Sequence, residues 1–143
     1  MYMEISNHYL PYPKKTLIAV TNNELAKIYR AFEREIEEVH VIEGEDVVIG
    51  GRGSGTINDG PPKTDEIRKH VRNDIYKELS GVLMEMLKKG DEEIVLCAPE
   101  AFKNDLVEHM HADVMRSVTE VVPKNLASLP LDAVVRILQE TRE

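Results

Sequence analysis

The sequence predicts an α/β fold built on a mixed sheet, and three observations carry that expectation. Ile94-Val95-Leu96-Cys97-Ala98 is an unbroken apolar run, the pattern of a strand buried on both faces of a sheet. Pro99 and Glu100 follow it and suit the first turn of a helix, where a missing N–H costs nothing and an acid complements the dipole. Between Thr64 and Lys88 apolar residues recur at spacings of three and four, which gives a helix one apolar face. Three strand candidates crowd into residues 16–42, and links that tight favour an antiparallel meander.

Residues 1–15, with Tyr2, Tyr9, Tyr12, Pro11 and Pro13, suit an extended arm better than a regular element. Residues 16–143 form the single domain. Thr16–Thr21 is short and apolar, so a central strand is expected. Asn22-Asn23 signals a turn. Leu25–Phe32 alternates between two faces, and Val39–Ile42 with its flanks is the third strand, after a turn through Glu33–Glu37. The stretch Glu45–Lys63 carries Gly50, Gly51, Gly53, Gly55, Gly60, Pro61 and Pro62 and reads as a long loop, a feature that is usually functional or disordered.

The long helix opens at Thr64, and Lys88, Lys89 and Gly90 mark its end: cations at the negative pole, then a glycine at C′. About 25 residues at a rise of about 1.5 Å make it roughly 37 Å long, enough to cross a sheet. After the central strand, a second helix is expected over residues 99–110 and a further turn over 112–116. Ser117–Val122, rich in β-branched residues, is the last strand, and Pro130–Thr141 the last helix. With right-handed crossovers, the most economical sheet has five strands in the order 3-2-1-4-5, strand 2 antiparallel. About three main helices complete a ribonuclease H-like three-layer fold.

At 143 residues the chain suits one domain, and its composition of 42% hydrophobic and 31% charged residues is ordinary for a globular protein. A formal charge of −8 argues against broad non-specific binding to nucleic acid, which needs a clustered excess of cations. Cys97 is the single cysteine, so no internal disulfide forms, and its place in an apolar run makes it a small core residue. The first residues lack a basic start followed by a long apolar stretch. No run reaches the roughly 20 apolar residues that span a bilayer. A cytoplasmic protein without membrane contact is the expectation.

A nuclease of the ribonuclease H type needs converging carboxylates to hold two metal ions. Thr16–Thr21 and Ile94–Ala98 carry none, and Asp91, Glu92 and Glu93 precede their strand, at the wrong end for a site at strand carboxyl ends. Gly50 and Gly55 have the spacing of a phosphate loop, but Thr56 stands where the lysine belongs. A glycine loop with Arg52 can still cradle an anion through its N–H groups; a plain connector is the competing account. Glu108-His109-Met110-His111 suggests metal ligands, yet helix residues two apart diverge. No metal, cofactor or catalytic residue is expected. Arg68, Lys69, Arg72 and Lys77, beside Arg52 and Lys63, form a basic strip expected on the exposed side of the long helix, either simply solvated or touching RNA phosphates. The candidate anion- or RNA-binding residues are Gly50, Gly51, Arg52, Gly53, Lys63, Arg68, Lys69 and Arg72.

The phrases TLIAVTNNELAKIYRA, IVLCAPEAFKNDL and VTEVVPKNLASLPLDAVVRIL resemble the small bacterial host attachment proteins, grouped with the bacterial relatives of archaeo-eukaryotic release factors. The similarity runs from about Thr16 to Gln139. It implies a release-factor middle domain of ribonuclease H-like fold. In release factors a Gly-Gly-Gln tip in the loop before the long helix promotes peptidyl-tRNA hydrolysis. Here Arg52 follows Gly50-Gly51, and the chain's one glutamine is Gln139. The resemblance therefore implies a non-catalytic release-factor-like domain with the ribosome or tRNA as partner. A protein-interaction module, dimeric and acting indirectly in host attachment, is the alternative.

Overall fold

A computed structural model describes residues 1–44 and 64–142. Among them the strands are β1 (Tyr2–Glu4), β2 (Tyr12–Thr21), β3 (Leu25–Glu33), β4 (Glu35–Glu43), β5 (Glu93–Cys97) and β6 (Val118–Val122). The helices are α1 (Thr64–Lys88), α2 (Lys103–His109), α3 (Ala112–Ser117) and α4 (Leu131–Arg142), with a 3-10 turn at Glu100–Phe102. The six strands form one sheet in the order β1-β4-β3-β2-β5-β6. β2 is antiparallel to β3 and parallel to β5.

Five of these strands keep the expected mutual order; the sheet departs from the expectation by a sixth. β1 lies within the stretch expected to be an arm and adds to the edge, pairing Tyr2 with Glu37 and Glu4 with Glu35. The expected turn through Glu33–Glu37 is correspondingly shorter, because β4 begins at Glu35 and only Glu33-Arg34 turns the chain. β2 also starts early, at Tyr12, but its register with β3 slips between Tyr12 and Thr16. Pro13 lies in that interval, and a proline in a central strand lacks the N–H a ladder needs.

Alternation along β2 and β3 divides two cores. Ile18, Val20, Tyr29 and Ala31 pack with Leu131, Val134, Val135 and Leu138 of α4. Leu17, Ala19, Ala26 and Ile28 pack with Ile75, Tyr76, Leu79 and Leu83 of α1. Helices thus cover both faces, an α/β/α arrangement. β5, buried on both faces, contributes Val95 and Cys97 to one core and Ile94 and Leu96 to the other.

Local signals end the elements where the sequence places them. Gly90 takes φ +120°, Asp91 N donates to Met86 O and Gly90 N to Leu87 O, the paired bonds of a Schellman cap. Asp91, fixed by that cap, grips Arg30 of β3 through Nε–Oδ1 and Nη2–Oδ2 bonds of 2.7 and 2.8 Å. Asn22 Oδ1 accepts from Glu24 N and Leu25 N, which closes the turn between β2 and β3. The helix expected from residue 99 divides at its start: Pro99 stays extended at ψ 146°, and a 3-10 turn precedes α2.

Candidate functional site

β2 and β5 lie side by side and parallel, yet the chain leaves their carboxyl ends in opposite directions, toward β3 and toward β6. In α/β sheets, strand ends that diverge in this way border the crevice where ligands commonly bind. Between these two ends Thr21 donates from Oγ1 to Cys97 O at 2.9 Å. Asn22 and Asn23 follow β2 on one side, and the segment from Pro99 to Asp105 follows β5 on the other.

α1 sends Arg72 into this region. The residue is only 6% exposed. Its Nη2 donates to Asp105 Oδ2 at 2.8 Å, its Nη1 to Asn23 Oδ1 at 3.2 Å, and its guanidinium lies 4.0 Å from the Phe102 ring centroid. One buried cation therefore joins the β2–β3 turn to α2 across the crevice. A buried cation persists only when paired and hydrogen-bonded, and both conditions hold here. One turn along α1, Tyr76 is fully buried, its ring 6.0 Å from that of His109. Burial pushes the Tyr76 phenol above its ordinary range, against opposing influences from Thr21 and Arg72, while Asp105 adds to the rise. Among the described residues Arg72 Nε and Tyr76 Oη have no hydrogen-bond partner at ordinary distance, although Thr21 lies close enough to the phenol to influence it.

The candidates from the sequence separate here. Arg68, Lys69 and Lys77 are exposed, but Arg72 leaves the strip. Its placement on the exposed side is corrected: it stands three, four and seven residues from Ile75, Tyr76 and Leu79, spacings that put it on the buried face. Gly50, Gly51, Arg52, Gly53 and Lys63 lie outside the described residues. The last residue before them, Gly44, donates its N–H to Glu24 O at 2.8 Å. Gly44 thus sits beside the β2–β3 turn that Arg72 holds.

Both histidines of the Glu108–His111 phrase serve the backbone. His109 Nδ1 is 2.7 Å from Asp105 O, and His111 Nδ1 accepts from Asp113 N at the start of α3. Among the described residues no three His, Cys, Asp or Glu side chains come together as metal ligands. β2 carries no carboxylate, and Glu93 of β5 sits at the opposite end from the crevice, 3.6 Å from Lys14 Nζ. Burial drives the Cys97 thiol far above its ordinary range, and Glu120 adds to it, so no thiolate nucleophile is presented. Asn23, Phe102, Tyr76 and Asp105 were not legible as a group, because they come from three separate segments. Gln139 is buried and clamps Leu10, accepting its N–H at Oε1 and donating to its O from Nε2. Among the described residues no helix is long and apolar enough to cross a membrane.

A family model described as bacterial archaeo-eukaryotic release factor family 12 matches residues 15–138. No curated protein matches the chain. Among solved structures, an archaeal translation termination factor, aRF1, is similar at 15% identity and a TM-score of 0.48, over 89% of this chain and 39% of that one. A structure of S. cerevisiae Dom34, a translation termination-like factor involved in RNA quality control pathways and interacting with Hbs1, aligns at 12% identity and a TM-score of 0.41. It covers 89% of this chain and 36% of Dom34. The chain spans well under half the length of either.

Proposed function

Because the chain belongs to bacterial archaeo-eukaryotic release factor family 12, we propose that it is a non-catalytic, release-factor-like domain that associates with the ribosome or structured RNA. The observation that carries this reading is the exposure of Arg68, Lys69 and Lys77 on α1, the helix that follows the glycine-rich stretch of the sequence. These cations suit phosphate contacts, which position a protein on RNA without reading sequence. Arg52 and Lys63, which lie outside the described residues, are the further cations that the proposal includes.

Hydrolysis is not part of the proposal. The resemblance to release factors places a Gly-Gly-Gln tip in the loop, and here Arg52 follows Gly50-Gly51. The one glutamine, Gln139, has both ends of its amide bonded to Leu10. That occupation supports a structural role for it. The attachment role suggested by the same resemblance has no residue-level feature in its favour.

Co-sedimentation with ribosomes across a salt series tests the reading, with wild type beside Arg68→Ala/Lys69→Ala and Arg72 left intact. Each lost phosphate contact should reduce the log–log salt slope by about 1, so the double variant should bind more weakly with a slope lower by about 2. Absence of binding at low salt, or binding indifferent to both substitutions, would overturn it.

A further inference from the structure

The sheet face packed against α1 is open at the end away from the crevice. There β1, β4 and β3 present two cross-strand rows, Tyr2–Glu37–Arg30 and Glu4–Glu35–Phe32. Residues directly opposite one another share a face. Ile36, between Glu35 and Glu37, points into the α4-side core, so both rows lie on the other side. Tyr2 is 56% and Phe32 39% exposed. With Arg30, Glu33, Glu35 and Glu37 they line a shallow depression of about 140 Å³.

The charge of this face is one-sided. Arg30, the cation within the rows, is already held by both carboxylate oxygens of Asp91. Glu4 stands directly opposite Glu35, a like-charge pairing that weakens a sheet. Charged edge strands do guard against edge-to-edge aggregation. Exposed rings work against that guard, so protection alone does not account for Tyr2 and Phe32.

We propose that this face docks an extended, arginine-rich segment of a partner protein. A guanidinium stacks on an aromatic ring and forks onto a carboxylate, whereas a lysine offers only a point charge. The rows are one alternate step apart along the strands, Tyr2 to Glu4 and Glu37 to Glu35, a separation of roughly 7 Å. Alternate side chains of an extended segment repeat at the same spacing, so arginines two apart meet both rows. The glutamates repel nucleic acid, which separates this surface from the cations of α1 and makes it independent of the ribosome reading.

The test is binding of a labelled Arg-Ser-Arg-Ser-Arg-Ser-Arg peptide to the full chain with a free N-terminus, at near-physiological salt, beside its lysine counterpart. The arginine peptide should bind about fivefold or more tightly than the lysine one. Glu35→Lys/Glu37→Lys should weaken it about tenfold or more, with Glu35→Gln/Glu37→Gln as the milder pair if the reversal does not fold. Glu108→Lys/Glu140→Lys, an equal charge change at exposed sites on α2 and α4, should cost less than about twofold. Tyr2→Ala/Phe32→Ala should erase the preference for arginine. Equal losses in the two reversals, equal affinity for the two peptides, or no binding would overturn the proposal.

Discussion

Arg72 shows how little a residue type says about its surroundings. A cation on an otherwise amphipathic helix is usually solvated, yet this one is buried against Asp105, Asn23 and Phe102. Tyr76, one turn further, shares that environment, and among the described residues its hydroxyl has no hydrogen-bond partner at ordinary distance. A buried hydroxyl without a partner carries its desolvation cost uncompensated. Tyr76→Phe should therefore raise stability by roughly 1 kcal/mol in urea denaturation near neutral pH. Its pH dependence follows from the raised phenol. The unfolded chain ionises Tyr76 near its ordinary value of 10.0 and the folded chain only above it. Stability is thus unaffected below that value and falls as pH rises from it toward the folded-state value. Tyr76→Phe should lose part of this alkaline fall. The remainder belongs in part to Tyr29, which burial and then Glu38 raise in the same direction. An equal alkaline fall in the variant would show that the phenol is not desolvated.

At the scale of elements, α1 decides most of the architecture, and Gly81 and Gly44 play opposite roles in and beside it. Gly81 lies in the helix interior with nothing within 4 Å of where a Cβ would stand. Gly81→Ala should stabilise the protein by about 0.5–1 kcal/mol, since only backbone entropy changes. Gly44, beside α1, has no such room: a Cβ would fall 2.5 Å from Val71 Cγ1 and 3.1 Å from Glu24 O. Gly44→Ala should cost about 1–3 kcal/mol through overpacking. Thermal unfolding of the two variants checks the pair, and a shift of the same sign in both would contradict the packing of β4 against α1. The limits of α1 and its Schellman cap were legible from Thr64, Lys88 and Gly90, because caps are local chemistry. The division of the next helix was less legible, since Pro99 is compatible both with a first helical turn and with the extended residue before one.

For the whole molecule, the two ends of the described chain hold each other. Gln139 of α4 binds Leu10 through both atoms of its amide, and Arg34 donates to Ser6 O and Tyr9 O. The segment between β1 and β2 is thereby fastened from two sides. Gln139→Ala should remove two hydrogen bonds, cost about 2 kcal/mol, and speed amide exchange at Leu10 more than in β5. Uniform acceleration throughout the sheet would mean that the clamp serves the global fold instead. Charge is also distributed at this scale. Arg68, Lys69 and Lys77 lie exposed on α1, and the glutamate rows lie at the β1 edge.

By itself the sequence determined the strand and helix succession from β2 onward, the central place of β2 and β5, the Asn22-Asn23 turn and the glycine-terminated α1. All of these depend on periodicity, turn chemistry and caps within a few residues of one another. Tertiary structure alone decided that Arg72 turns inward, that Tyr2–Glu4 joins the sheet edge and that Asp91 grips Arg30. Those outcomes depend on partners far along the chain: Asn23 and Asp105 stand 49 and 33 residues from Arg72, and Asp91 stands 61 from Arg30. A charge is buried or solvated according to what the fold brings against it, and no local pattern carries that information.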